Sequence, residues 1–459
     1  MKNNIENTNE LTGIDQLTGT PVLPGSPEFE EARKVWNGAV DKVPAIIFLP
    51  DTAEKVSEAV KFAAENNLSI SVRGGGHDWT GRSASDNGVL INMSKMKNIA
   101  IDAENKTATV GGGVLGAELM AAAEAKGLVA VAGCVGVVGF AGMATGGGYG
   151  PLLSTYGLAL DNVIGASLVM ADGSIVTASE NENQELFWAI RGGGGAFGIV
   201  VSLTVKLHDE QPTIAGVIQF KLDEAKTVLE GFNELMKNAG PEIGTLAAVL
   251  AGPDGNVGLF IFPFWSGDEA AGFEYVEQLK KLGSPVFTKT DRMKYSDYLH
   301  LFDHNIVVGQ HAYLRTLWLP DLGHEEIIAI AEWGKNMTSP FSMVLIHHFN
   351  GKAASVAQES TAFGFRKPHY WLEAIGAWEY KDAADDAIQK RWAEELFEAL
   401  RKNAFPGGYV NNLASDNDDQ SRYAFGTNLA RLQRAKKTFD PNNVFKGMNI
   451  FVNDNVQVS

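Results

Sequence analysis

Three glycine clusters lie within the first 200 residues, at 74–76, 139–150 and 192–198. Each stands at the end of a predicted strand or helix, and the first runs from ISVR straight into His77. Without a Cβ, glycine lets the backbone enter φ > 0 and bring its N–H groups against a ligand. Successive N–H groups in such turns form anion-binding nests. One cluster reads as a turn. Three in one region point to a large phosphorylated cofactor.

The glycines also limit the fold. No charged residue occurs between Lys126 and Asp161, a run long enough to suggest a membrane span. Ten of its 34 positions are glycine, and each interior glycine costs a helix roughly 1 kcal/mol relative to alanine. Buried turns fit this run better than a spanning helix. The P-loop pattern GxxxxGK with Ser or Thr is absent. Gly193, Gly195 and Gly198 satisfy GxGxxG, but after a helix and before a strand, the reverse of a dinucleotide fingerprint. A Rossmann NAD site is therefore disfavoured.

A formal charge of −17 argues against a nucleic-acid partner, which needs a basic footprint. The single cysteine, Cys134, rules out an internal disulfide and a multi-cysteine metal site. His300 and His304 stand i, i+4 without an HExxH glutamate, so no metal is expected. The polar N-terminus lacks an apolar signal core, which points to the cytoplasm, and no membrane partner is expected.

Short strands are predicted at 45–49, 68–72, 88–93, 99–102 and 107–110, with helices at 52–66 and 115–126. This order, with its long glycine-rich connections, predicts an α+β fold rather than a regular doubly wound sheet. Strands at 166–171 and 175–178 flank an Asp172-Gly173 turn, followed by a helix at 185–191 and a strand at 200–207. Composition shifts near 209–213, a domain boundary. Residues 344–349 (VLIHHF) read as a strand whose alternate residues Ile346 and His348 share a face.

Several stretches together resemble one family. RGGGH at 73–77 resembles the covalent-flavin motif of the vanillyl-alcohol-oxidase superfamily in its berberine-bridge-enzyme-like branch. VGFAGMATGGGYG at 138–150, STYGLALDNVIGASLVMADG at 154–173 and ELFWAIRGGGGAFGIV at 185–200 resemble its further flavin-contacting stretches. VWNGAVDKVPAIIFLPDTAEKV at 35–56 is similar to its opening, and LARLQRAKKTFDPNNVFKGMNI at 429–450 to its closing motif. The resemblance implies a leader at 1–26 and a two-part FAD-binding domain at 27–212, to which the segment 406–459 returns. It implies an α+β substrate domain with an antiparallel sheet at 213–405.

By the same resemblance, Gly74, Gly75 and Gly76 present N–H groups to the FAD pyrophosphate. His77 is bonded through a ring nitrogen to the flavin 8α-carbon, with Arg73, Asp78 and Gly81 around it. FAD contacts fall on Val138, Gly139, Gly142, Gly146, Gly147, Gly148, Tyr149 and Gly150, then on Leu158, Asp161 and Asn162. Gly198, Ile199 and Val200 follow, and the closing motif, one residue shorter than the family's, assigns Asn449. A second link from a cysteine is common in this branch. Aligned without gaps, that position falls on Val135, and Cys134 sits one residue early, pointing to the opposite face of an extended segment. FAD attached through His77 only is expected, with Cys134 a small buried apolar residue.

The resemblance further implies oxidation of an alcohol or amine carbon of a small organic substrate. Hydride passes to flavin N5, O2 is reduced to H2O2, and a base assists. The family often places a tyrosine after the asparagine of a Y-x-N-Y stretch. Here Tyr409-Val410-Asn411-Asn412 puts an amide there, which cannot serve as a base. His348 becomes the candidate base, with Tyr409 and Asn412 beside it. The single link and Asn412 resemble 6-hydroxynicotine-oxidase-like members more than sugar oxidases. The alternatives are a flavin-dependent dehydrogenase or cyclising enzyme that does not use O2, and a non-catalytic flavoprotein that binds a small molecule. A homodimer is left open.

Overall fold

The first strands are short apolar runs that pair in parallel. Ile46–Phe48, Val89–Asn92 and Ile70–Arg73 form a three-stranded sheet in that order, with helix Ala53–Glu65 as a crossover. Thr52 caps that helix, its hydroxyl accepting from Lys55 N at 3.3 Å. Val56, Ala59, Val60 and Ala63 bury one helix face against the sheet. This computed structural model describes residues 11–302, 306–414 and 417–452.

The second sheet is antiparallel. Its strands run in the order Ile99–Asp102, Thr107–Gly111, Ile199–Asp209, Val163–Val169 and Ile175–Ser179, with Leu128–Ala130 added along Ile199–Asp209. Ile199, Val201, Leu203, Val205 and Leu207 turn inward along the long strand, the period of two that a half-buried strand shows. Val163–Val169 begins ahead of the predicted residue 166, because Val163 already pairs with Val205 across a register shift.

After Asp209 the chain crosses to Thr213–Lys221, part of an eight-stranded antiparallel sheet. Leu246–Ala251, Met343–Phe349, His369–Trp378 and His311–Leu319 lie side by side in that order, the last at the sheet edge. One face carries helices Ala225–Lys237, Glu269–Lys280, His324–Lys335 and Ala383–Arg401. Ala247, Val249, Val344, Ile346 and Leu372 pack into the core beneath them. The opposite face turns toward the glycine loops.

Two buried ion pairs bind the parts together. Arg366, just before His369–Trp378, meets both oxygens of Asp161 at 2.8 Å. In the tail, the Lys436 ammonium donates to Ala196 O, Asp440 Oδ2 and Phe445 O at 2.7, 2.7 and 2.6 Å. It thereby fastens helix Leu429–Phe439 and the closing segment to the third glycine cluster. Among the described residues, no helix is long and apolar enough to cross a membrane, and no cluster of three or more His, Cys, Asp or Glu is placed to hold a metal. His304 lies outside the described residues.

Candidate active site

Between the bare face of the large sheet and the glycine loops lies a cavity of about 520 Å³, within the usual range for small-molecule sites. Its floor is backbone. Strand Ile70–Arg73 runs into Gly74, Gly75, Gly76, His77 and Asp78, all of which line the cavity. Gly75 and Gly139 cross so closely that a Cβ on either would stand 2.3 Å from the other's backbone nitrogen. Gly142, Gly194 and Gly195 show the converse, since a Cβ there would meet no protein atom within 4 Å. All three line the cavity, so the space beside them is cradled by backbone and left open by the absence of side chains. Val138, Gly139, Gly146 and Tyr149 continue the floor, Gly198, Ile199 and Val200 close it, and Phe445 to Met448 complete it from the tail. A trough with such glycine stretches left open by the absence of side chains fits an FAD.

The His77 ring stacks on Trp36, with centroids 4.8 Å apart. Burial lowers its pKa to about 4 against the opposing charge of Asp78, so the imidazole is neutral at pH 7. The Asp78 carboxylate is taken up by Thr80 and Arg82. Arg82 also donates to Asn411 O at 2.9 Å, and Trp79 Nε1 to Asn412 O at 3.0 Å. The loop after His77 thus grips the 409–412 turn.

The roof is the sheet, and its pairing register lays out the chemistry. Leu246, His347 and Trp371 form one row, Leu345 and Glu373 the next, and Leu250, Met343, Ile375 and Leu314 a third. All nine line the cavity. Glu373 is the one charged residue of strand His369–Trp378 and is 6% exposed. Asn412 Nδ2 donates to its Oε1. His347, stacked on Trp371 with centroids 4.3 Å apart, brings Nε2 to 3.3 Å from Oε2. That nitrogen has no hydrogen-bond partner among the described residues. Tyr409 lines the cavity, but its hydroxyl accepts from Gly148 N and Asn411 Nδ2, both at 2.8 Å, and burial pushes its pKa up to about 12. His369 donates from Nδ1 to Lys367 O at 2.7 Å, so its Nε2 accepts the proton of the Tyr149 hydroxyl at 2.9 Å.

Several residues expected at the site stand elsewhere. His348 lies on the helix-covered face of its strand, against Tyr370, where burial lowers its pKa to about 4. The cavity-facing histidine is its neighbour His347, since a strand alternates faces and the odd-numbered residues front the cavity. Asn449 is exposed at the start of the turn Asn449–Phe451 and does not line the cavity, whereas Gly447 and Met448 do. Asp161 is consumed by Arg366 and by Leu158 N, and Asn162 by Tyr156 O, Leu158 O and His208, so both hold the fold. Leu158 is core, and Arg73, Gly81, Gly147, Gly148 and Gly150 lie behind the cavity wall. Gly148 supports the site indirectly through its bond to Tyr409.

Cys134 also departs from expectation. Residues 131–135 form no strand and bend at Cys134, so alternation does not apply, and Cys134 and Val135 both line the cavity. Burial, reinforced by Glu373, pushes the thiol up to about 12. The residues that sequence reasoning missed are Glu373 and His347. A lone acid inside an otherwise uncharged strand, HYWLEAIGAW, was the available signal for the first.

Residues 44–179 match the family described as FAD binding domain, and residues 408–448 the family described as berberine and berberine like. The FAD-linked oxidoreductase aurO of Gibberella zeae is 30% identical over 431 residues, which span 92% of this chain and 83% of that one. The (R)-6-hydroxynicotine oxidase of Paenarthrobacter nicotinovorans is 36% identical over 227 residues, 48% of this chain and 50% of the relative. The crystal structure of 6-hydroxy-D-nicotine oxidase from Arthrobacter nicotinovorans superposes with a TM-score of 0.85 at 26% identity, covering 95% of this chain and 98% of that one. The fold is therefore the vanillyl-alcohol-oxidase type, an FAD-binding part joined to an α+β part with an antiparallel sheet. With both family matches in sequence order and a relative aligned over most of its length, the chain belongs to the berberine-bridge-enzyme-like FAD-linked oxidoreductases.

Proposed function

We propose that this enzyme is an oxidase acting on an alcohol or amine carbon of a small organic substrate, with Glu373 as the proton acceptor. The observation that carries this reading is the buried carboxylate of Glu373 on the cavity face, held by Asn412 and flanked by His347. Bound over the glycine floor, FAD supplies the hydride acceptor and the route to O2 and H2O2. Glu373 accepts the O–H or N–H proton as the carbon is oxidised. Asn412 fixes the carboxylate, and the Trp79 and Arg82 contacts fix the backbone of Asn412 and Asn411. The apolar roof excludes water from the reacting carbon.

His77 is the proposed attachment point. Its ring is neutral at pH 7 and offers a nucleophilic nitrogen, whereas a thiol at about 12 is ionised in roughly one molecule in 10⁵ at that pH. Cys134 lines the cavity, but burial and the Glu373 charge both disfavour its thiolate, which supports a single link on grounds other than the facing of its side chain.

The test has two readings. After acid denaturation, flavin colour stays with the wild-type chain and with Cys134→Ala but leaves His77→Ala; colour retained by His77→Ala would overturn the single link. Anaerobic bleaching by an alcohol and amine panel, with H2O2 released on admitting air, is expected in the wild type. Glu373→Gln should keep its flavin and lose about 10²-fold or more in kcat. Flavin that no substrate bleaches, or bleaching without H2O2, would refute the oxidase reading.

A further inference from the structure

The cavity roof narrows the substrate class, an inference that rests on the proposed function. Around Glu373 the sheet presents Leu345 in its own row and Leu250, Met343, Ile375 and Leu314 in the next. These side chains offer no hydrogen bond. A carbohydrate placed there would leave hydroxyls buried without partners, a loss for each one. Within these rows of the sheet the polar groups are confined to one spot, the free oxygen of Glu373 and the unpartnered Nε2 of His347, 3.3 Å apart. The His347 side chain is only 9% exposed and still lacks a hydrogen-bond partner among the described residues. A buried ring nitrogen in that condition awaits a ligand group.

The other charges near the cavity are paired or lie off the roof. Arg82 is paired with Asp78 and with the carbonyl of Asn411. Lys446 is exposed and belongs to the tail, on the glycine side. Glu373 is therefore the one charged group on the roof among the described residues, and its sign is negative. Trp371 stacks on His347 and fixes that imidazole beside the carboxylate. The chain's formal charge of −17 favours the approach of a cation over that of an anion.

We infer that the substrate is a secondary amine on an apolar frame, bound as its ammonium ion. One N–H donates to the Glu373 carboxylate. The other donates to His347 Nε2, with the ring proton on Nδ1. The frame lies against Leu345, Ile375 and Met343. Sugars and other polyols are excluded by the same surface.

The test measures binding and does not depend on turnover. Under anaerobic conditions, the holoenzyme is titrated with N-methylbenzylamine, with its neutral isostere benzyl methyl ether, and with cellobiose, by calorimetry and by the shift of the flavin band. The ammonium is expected to bind at least about tenfold more tightly than the ether, a modest share of what buried charge pairs contribute, and cellobiose not at all. This comparison uses the wild type alone, so it holds whether or not a variant folds. Glu373→Gln should bring the two isosteres to equal affinity while the flavin stays attached. Equal binding of amine and ether by the wild type, tighter binding of cellobiose, or a preference that survives Glu373→Gln would each overturn the inference. A preparation that selects the ammonium yet yields no H2O2 with any amine would instead count against the oxidase reading and leave the binding inference standing.

Discussion

Asp161→Asn tests whether the roof is fastened to the flavin side by one buried ion pair. The two side chains are 7% and 5% exposed, and the guanidinium spans both carboxylate oxygens at 2.8 Å. Removing one member of a buried pair costs about 3–5 kcal/mol, because the other charge is left in a poorly solvating environment. Arg366 keeps Thr361 Oγ1 at 2.9 Å and Ala353 O at 3.2 Å, which places the loss at the lower end, about 3 kcal/mol. Unfolding entropy of about 2.1 cal/mol/K per residue over 459 residues gives about 1 kcal/mol per kelvin. A cooperative melt should then fall by about 3 °C, read by differential scanning fluorimetry and by the release of flavin fluorescence. Arg366→Met should act similarly. The double variant should lose less than the sum of the singles by at least about 1 kcal/mol, since the second substitution removes the orphaned charge. Singles with unchanged melts, or strict additivity, would refute the idea that this contact is a coupled pair.

Stability should also fall on mild acidification. Burial lowers His208 and His348 to about 4 and His369 to about 3 from an ordinary 6.5. Each folded-state value lies below the unfolded one, so the unfolded chain binds more protons once the pH drops under 6.5. The stability these neutral rings contribute is complete above that pH and lost as it falls toward 4, at up to about 1.4 kcal/mol per pH unit per histidine. Denaturant unfolding between pH 6.5 and 4.5 should give a shallower slope in His348→Phe; an unchanged slope would show that this ring does not titrate as described. Among the glycines, Gly142→Ala should fold with a normal melting temperature but take up less flavin, because its Cβ enters only the cavity. Gly75→Ala, with its Cβ 2.3 Å from Gly139 N, should lose flavin and stability together. The ratio of flavin to protein absorbance, set beside the melt, separates the two.

How far the site could be read ahead of the structure follows from sequence distance. The glycine floor is contiguous chemistry: Gly74 to His77 sit side by side, so composition and order alone mark them. Asp161 and Arg366 are 205 residues apart, and nothing local in either segment announces the other. Asp161 was therefore expected at the flavin when its partner is an arginine under the roof. His348 failed for a subtler reason. Strand Met343–Phe349 is apolar at Met343 and Leu345 as well as at Val344 and Ile346, so its sequence carries no alternation to say which parity fronts the cavity. The facing of Cys134 is not legible from alternation because the chain bends there outside any strand, which brings both Cys134 and Val135 to the cavity.

Asn412 shows how a departure from a family pattern should be weighed. In isolation it looks like a loss, since an amide cannot take a proton. Its side chain, however, reaches Glu373 on a strand almost forty positions earlier, and its backbone is clamped by Trp79 from the loop that carries His77. An amide that cannot be a base can still hold one, donating to one carboxylate oxygen and leaving the other free toward His347. On the proposed reading, the base that position 412 cannot provide is Glu373, which Asn412 holds directly. A sequence motif records which residue type stands at a place, whereas a base is defined by which acceptor faces the substrate, and only the strand register decides that.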